Sequence, residues 1–158
     1  MFFGSRRIGG FFSLFFGCFL VTGVRAEPVC LNLQTARTTA HHPIAVGERL
    51  SLIFPHSIYG SRVEEQFSVT PKGFQLLELR YAEPRLVEFY GHESAANEEG
   101  GWVVRKRGPL SAILDLHVSP ESWIDVIFGT EKLTIKHDSV SDGRARLALR
   151  ACPRINDG

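Results

Sequence analysis

Arg49-Leu50-Ser51-Leu52-Ile53-Phe54-Pro55 and, a few residues on, Val63-Glu64-Glu65-Gln66-Phe67-Ser68-Val69-Thr70 decide the fold class. In the first, Leu50, Leu52 and Phe54 alternate with Arg49, Ser51, Ile53 and Pro55; in the second, Val63, Phe67 and Val69 alternate with Glu64, Gln66, Ser68 and Thr70. A period of two sends successive side chains to opposite faces of a pleated strand, so each run buries one face and wets the other. Similar runs follow along the chain: Val29 to Gln34, Phe74 to Ala82, Arg85 to Tyr90, Trp102 to Lys106, Ala112 to Val118, Trp123 to Phe128, Lys132 to Lys136 and Arg144 to Arg150. Gly, Pro, Asn, Asp or Ser punctuates most gaps, with Gly129-Thr130 as a hairpin loop and Asp142-Gly143 as a turn before the last strand. No stretch keeps a capped helical period, and Glu93 to Gly101 reads as an exposed polar loop. The expectation is an all-β chain: an antiparallel β-sandwich or partly open barrel, a single domain over 27–158 with no second core.

Residues 1–26 stand apart. Arg6 and Arg7 precede an apolar run from Ile8 to Val21 containing Phe11, Phe12, Phe15, Phe16 and Phe19, and no acidic residue occurs before Glu27. Val24-Arg25-Ala26 then supplies a small-residue cleavage site, the pattern of an export signal. The apolar run is shorter than the roughly 20 residues that span a bilayer. A cleaved signal peptide and an exported location are therefore expected, with an uncleaved membrane anchor as the alternative. The whole chain has 158 residues, 18 basic and 17 acidic side chains, and a formal charge of +1. Removing Arg6, Arg7 and Arg25 turns that balance slightly negative, which excludes general attraction to nucleic acid. Membrane contact is expected only through the signal or a partner. Cys18 leaves with the signal, and Cys30 and Cys152 remain, one near each end. In an exported chain such a pair reads as a disulfide, while no Cys-x-x-Cys supports a zinc ribbon or redox motif.

Candidate chemistry gathers after the first strand, in His56-Ser57-Ile58-Tyr59-Gly60 and Val63-Glu64-Glu65. If the flanking strands form a hairpin, His56 and Glu65 share the inward face, with His56 opposite Val63 or Glu65 and within reach of a His–carboxylate contact. The candidate ligand-binding set is His56, Ser57, Glu64, Glu65, Tyr90 and Trp102. The competing structural reading is a His56–Glu65 pair that satisfies itself at the rim of the core. Trp123 reads as core, His41-His42 as a solvated loop, Asp115 and His117 as a same-face pair, and Arg105-Lys106-Arg107 as a solvated edge that discourages unwanted strand pairing. Asp115 and His117 joined to His56 and Glu65 would make a His/carboxylate set, but no spacing demands a metal, and no cofactor is implied. Glu93, Glu98 and Glu99 lack the order of a calcium loop. Ser57 lies outside any Gly-x-Ser-x-Gly elbow and reads as a turn residue; no catalytic residue is assigned. A Ser57 hydrolase using His92 or His117 is the remaining enzymatic alternative.

Gly47-Glu48-Arg49-Leu50-Ser51-Leu52, His56-Ser57-Ile58 and Val63-Glu64-Glu65 resemble the core signature of the bacterial family catalogued as domain of unknown function 1850. The likeness continues in Gly73-Phe74-Gln75-Leu76, Glu88-Phe89-Tyr90-Gly91 and Gly100-Gly101-Trp102, and runs from about Val29 to Lys136. Members of that family are small exported proteins, often encoded beside fused permeases of tripartite ATP-independent periplasmic (TRAP) transporters that take a TAXI-type solute receptor. The resemblance implies a bacterial source, hence a periplasmic location for the exported chain, and a non-enzymatic accessory or binding role in solute uptake, with the permease, the receptor or a small solute as partner. The alternative is a stand-alone small-ligand or ion-binding β module centred on His56 and Glu65. The Cys30–Cys152 pair is not part of the family signature.

Overall fold

A computed structural model describes residues 29–140 and 142–153; the signal-peptide expectation for 1–26 falls outside them. Two antiparallel sheets face each other. The smaller sheet runs in the order β2 (Thr39–Ile44), β1 (Val29–Thr35), β12 (Arg144–Ala151), β9 (Ile113–His117). The larger runs β11 (Glu131–Lys136), β10 (Trp123–Phe128), β3 (Arg49–Pro55), β4 (Arg62–Thr70), β5 (Gly73–Tyr81), β7 (Gly101–Arg105), β6 (Ala96–Glu98), with β8 (Leu110–Ser111) paired to β5. Neither sheet closes into a barrel; the fold is the expected antiparallel all-β sandwich.

The alternation that suggested the strands builds the core. Leu50, Leu52, Phe67, Val69, Phe74, Val126 and Phe128 from the larger sheet meet Leu31, Leu116, Ala145 and Leu147 from the smaller. The opposite face of the larger sheet carries ion pairs instead: Arg62–Glu64 at 2.6 Å, Arg80–Glu78 at 2.7 Å and Lys132–Asp125 at 2.8 Å. One irregularity interrupts the pattern. Between Gln66 and Phe67 the register shifts from Gln66↔Glu78 to Phe67↔Leu76, so Leu77 on β5 has no partner. The inward positions of β5 are therefore Phe74 and Leu76 before the bulge and Leu79 and Tyr81 after it.

Four expectations need correction. Arg85 to Tyr90 is not a strand; Pro84–Phe89 is a short helix, α1. Pro84 fits the first helical turn, where its missing N–H costs nothing. Gly91, at φ 68°, ends the helix; its N–H bonds Glu88 C=O at 2.9 Å, and the His92 N–H bonds Val87 C=O at 3.0 Å. That is a Schellman closure, which a left-handed glycine makes without strain. His41 and His42 lie in β2 rather than in a loop, and Pro43 is tolerated because β2 is an edge strand. Within the Glu93–Gly101 loop, Ala96–Glu98 adds a short edge strand. A second, smaller apolar cluster also exists: Val63, Tyr81, Leu86, Val87 and Val104 under α1, with Phe54 packing against both clusters.

Cys30 and Cys152 are bridged, with Cα atoms 4.9 Å apart. Val29 pairs with Ala151 beside the bridge, while at the far end of β12 Arg144 pairs with His117. The disulfide therefore ties the described ends of the chain together at one end of the sandwich. Among the described residues no helix is long and apolar enough to cross a membrane.

Candidate functional site

At the end opposite the disulfide, β3 stops at Pro55 and the chain turns back into β4. The register is Phe54↔Val63 and Pro55↔Arg62, so His56 faces neither Val63 nor Glu65. It sits one step past the ladder, its N–H bonded to Ser61 C=O at 2.8 Å and its C=O accepting from the Gly60 N–H at 2.8 Å. His56 Nδ1 accepts the N–H groups of both Ile58 and Tyr59, each at 3.3 Å. The imidazole thus does for this turn what an Asn or Asp side chain usually does, holding backbone donors the turn would otherwise strand. An accepting Nδ1 assigns the ring proton to Nε2. Ser57, expected to hold the turn, is exposed and makes no side-chain hydrogen bond among the described residues.

His56 is only 4% exposed because aromatic rings enclose it. Tyr59 stacks on it with centroids 5.1 Å apart; Phe89 and Tyr90 meet it edge-on at 4.7 and 5.6 Å. The last two arrive on α1 and its C-cap, so the helix that replaces the expected strand builds this cage. Arg85 lies 4.3 Å over the Tyr59 ring. Glu83, the N-cap residue, takes a hydrogen bond from the Ser61 hydroxyl and an ion pair from Arg85, which together hold its carboxyl below the usual range. These contacts lock α1 to the turn.

Glu65 is inward on β4, between Leu52 of β3 and Leu79 of β5. Among the described residues no hydrogen bond or ion pair reaches its carboxyl, and burial pushes its pKa up. Burial, then the nearby Glu65 charge, raises the Tyr90 phenol; Tyr81 is raised by burial, Tyr90 and Glu65 in turn. Both phenols therefore stay neutral at ordinary pH. Tyr81 Oη lies 2.8 Å from His92 Nε2, and burial followed by Lys106 lowers the His92 pKa.

Glu65, His56, Ser57 and Tyr90 line one cleft of about 460 Å³, together with Leu52, Phe54, Ile124, Ser119, Ser122 and the Asp115–His117 edge of β9. A second hollow of about 410 Å³ continues past His56 and Ser57 along Ser119–Ser122. Of the six sequence-derived candidates, four meet here and two do not. Glu64 lies on the opposite face of the sheet, bonded to Arg62 and by Gln66 Nε2 at 2.9 Å. Trp102 is half-buried against the cluster under α1. Trp123, expected in the core, is at the rim and 36% exposed. Asp115 pairs with Arg146 at 2.8 Å rather than with His117, and Arg105, on the exposed edge, pairs with Glu98 at 2.6 Å. Tyr59 and Phe89, quoted in the sequence motifs, were not in the candidate set, and Ser119 and Ser122 escaped the sequence reading. Pro84 and Gly91, a helix start and stop, were the signal that would have placed Phe89. A roomier cleft of about 600 Å³ lies along Gln34–Ala36, β9 and the start of β12, but its Asp115 and Arg146 already satisfy each other.

No three His, Cys, Asp or Glu side chains among the described residues converge closely enough to hold a metal ion. No hydrogen bond among the described residues links Ser57 to a histidine. What it offers is a partly apolar recess with a few convergent polar groups, the usual character of a small-molecule binding site. No protein-family model, curated protein or solved structure matches this chain.

Proposed function

We propose that this is an exported, non-enzymatic binding domain whose cleft beside the His56 turn receives a small solute, and that it serves solute uptake by a TRAP-type transporter. The observation that carries the binding role is Glu65: a half-buried carboxyl with no hydrogen bond or ion pair among the described residues opens on a cleft beside Leu52, Phe54 and Ile124. The Cys30–Cys152 bridge supports export, since such bonds persist in oxidising compartments. The transporter setting rests on the likeness of Gly47–Leu52, His56–Ile58 and Val63–Glu65 to the domain of unknown function 1850 family.

Native mass spectrometry of the protein recovered from the exported fraction, then denaturation of the same sample, tests this reading. The denatured chain is expected to start at Glu27 and to contain one disulfide; a chain starting at Met1, or two free thiols, counts against the export reading. Excess native mass that vanishes on denaturation identifies a carried solute. Crosslinking in cells is expected to capture a permease or solute receptor, and capture of neither, with solute uptake unchanged in a deletion strain, removes the transporter setting.

A further inference from the structure

We propose that the cleft selects a small organic cation, a protonated primary amine on a short apolar stem. The inference rests on the binding role above and names its ligand class. The first argument is charge. No Lys or Arg lines the cleft, and its two carboxylates differ: Asp115 is neutralised by Arg146, whereas Glu65 is unpaired. An incoming carboxylate or phosphate would meet Glu65 with no cation to compensate it, while an ammonium would supply the missing partner. The second argument is the wall. Leu52, Phe54 and Ile124 offer an apolar floor for a short stem, and the Tyr90 side chain borders the same cleft. His56 turns its Nδ1 to the Ile58 and Tyr59 N–H groups, so recognition of the ammonium falls to Glu65. The third argument favours an organic cation over a metal ion, because among the described residues no three ligating side chains converge.

A proton should leave as the amine binds. Glu65 holds its proton to higher pH than an ordinary carboxyl, and an ammonium stabilises the ionised form. The phenols beside it, Tyr81 and Tyr90, are held neutral by burial and do not oppose that direction. Binding is therefore expected to weaken as pH falls.

The test is an NMR titration of the isotope-labelled protein, disulfide intact, with propylammonium chloride, 1-propanol and sodium propionate at equal ionic strength. Propylammonium is expected to shift His56, Ser57, Tyr90 and Ser119 saturably, and propionate to bind about tenfold more weakly or not at all. Glu65→Gln should weaken propylammonium by about tenfold, with Glu65→Asp recovering part of the loss. Glu64→Gln, on the opposite face, should titrate like the parent. Equal binding of propanol or propionate, or an unchanged titration in Glu65→Gln, overturns the amine preference and leaves the cleft as a binding site. Absence of any shift at those residues with all three compounds removes the cleft reading itself.

Discussion

His56 carries two loads, the turn through Nδ1 and the aromatic cage through its ring faces, and substitutions separate them. His56→Ala should cost about 1–3 kcal/mol, visible as a lower urea midpoint, because two backbone donors and three rings lose their contact. His56→Asn should recover much of that loss, since Asn offers an acceptor at the same branch point of a turn. Glu65 behaves in the opposite sense. Its folded-state pKa lies above the ordinary value of 4.5, so the folded chain keeps a proton that the unfolded chain has released. Stability then declines as pH climbs from about that value through the raised one, and the ionised carboxyl remains a penalty above it. Glu65→Gln should accordingly raise the melting temperature at pH 8 and leave it nearly unchanged at pH 4; a lower melting temperature at pH 8 would show that Glu65 has a stabilising partner. Glu65's inward position was legible from strand parity alone. The absence of a His56 contact was not, because hairpin register depends on where the ladder stops, and here it stops one residue before His56.

At the scale of elements, α1 is the piece most exposed to disruption. It has six residues, too few to persist without tertiary contacts, and it docks chiefly through Leu86 and Val87. Leu86 is fully buried, so Leu86→Ala should cost about 2–5 kcal/mol and loosen the helix from the sheet. Trp102 packs against the same cluster, and a red-shifted emission in that variant would report the loosening. The same substitution should also weaken the proposed propylammonium binding, because Phe89 and Tyr90 follow Leu86 on one rigid turn. Central strands were readable because each has one wet and one dry face. The edge pieces β2 and β6 and the helix were not: edge strands lack a strong alternation, and Arg-Leu-Val-Glu-Phe-Tyr in 85–90 fits period two as well as a single helical turn. Only the flanking Pro84 and Gly91 separate those choices. In β5 the bulge at Leu77 hides the period, since Leu76, Leu77 and Leu79 are apolar on both sides of the shift.

For the molecule as a whole, the disulfide closes a loop with a sequence separation of 122 residues. The chain-entropy model assigns such a closure about 4–5 kcal/mol, so reduction, or Cys152→Ser, should lower the unfolding free energy by up to that amount in urea titrations. The fold class followed from the sequence because period-two runs and turn residues alone demand it, whereas the pairing order of twelve strands leaves no local trace. The bridge has one further consequence. Both described ends emerge beside Val29 and Ala151, and the cleft lies by His117 and Arg144, about 20 Å away along β12 at roughly 3.3 Å per residue. A fusion partner, a dye or a sensor surface coupled at Val29 or Ala151 would therefore sit at the disulfide-bearing pole of the sandwich and leave the pole that bears the cleft facing the bulk solution.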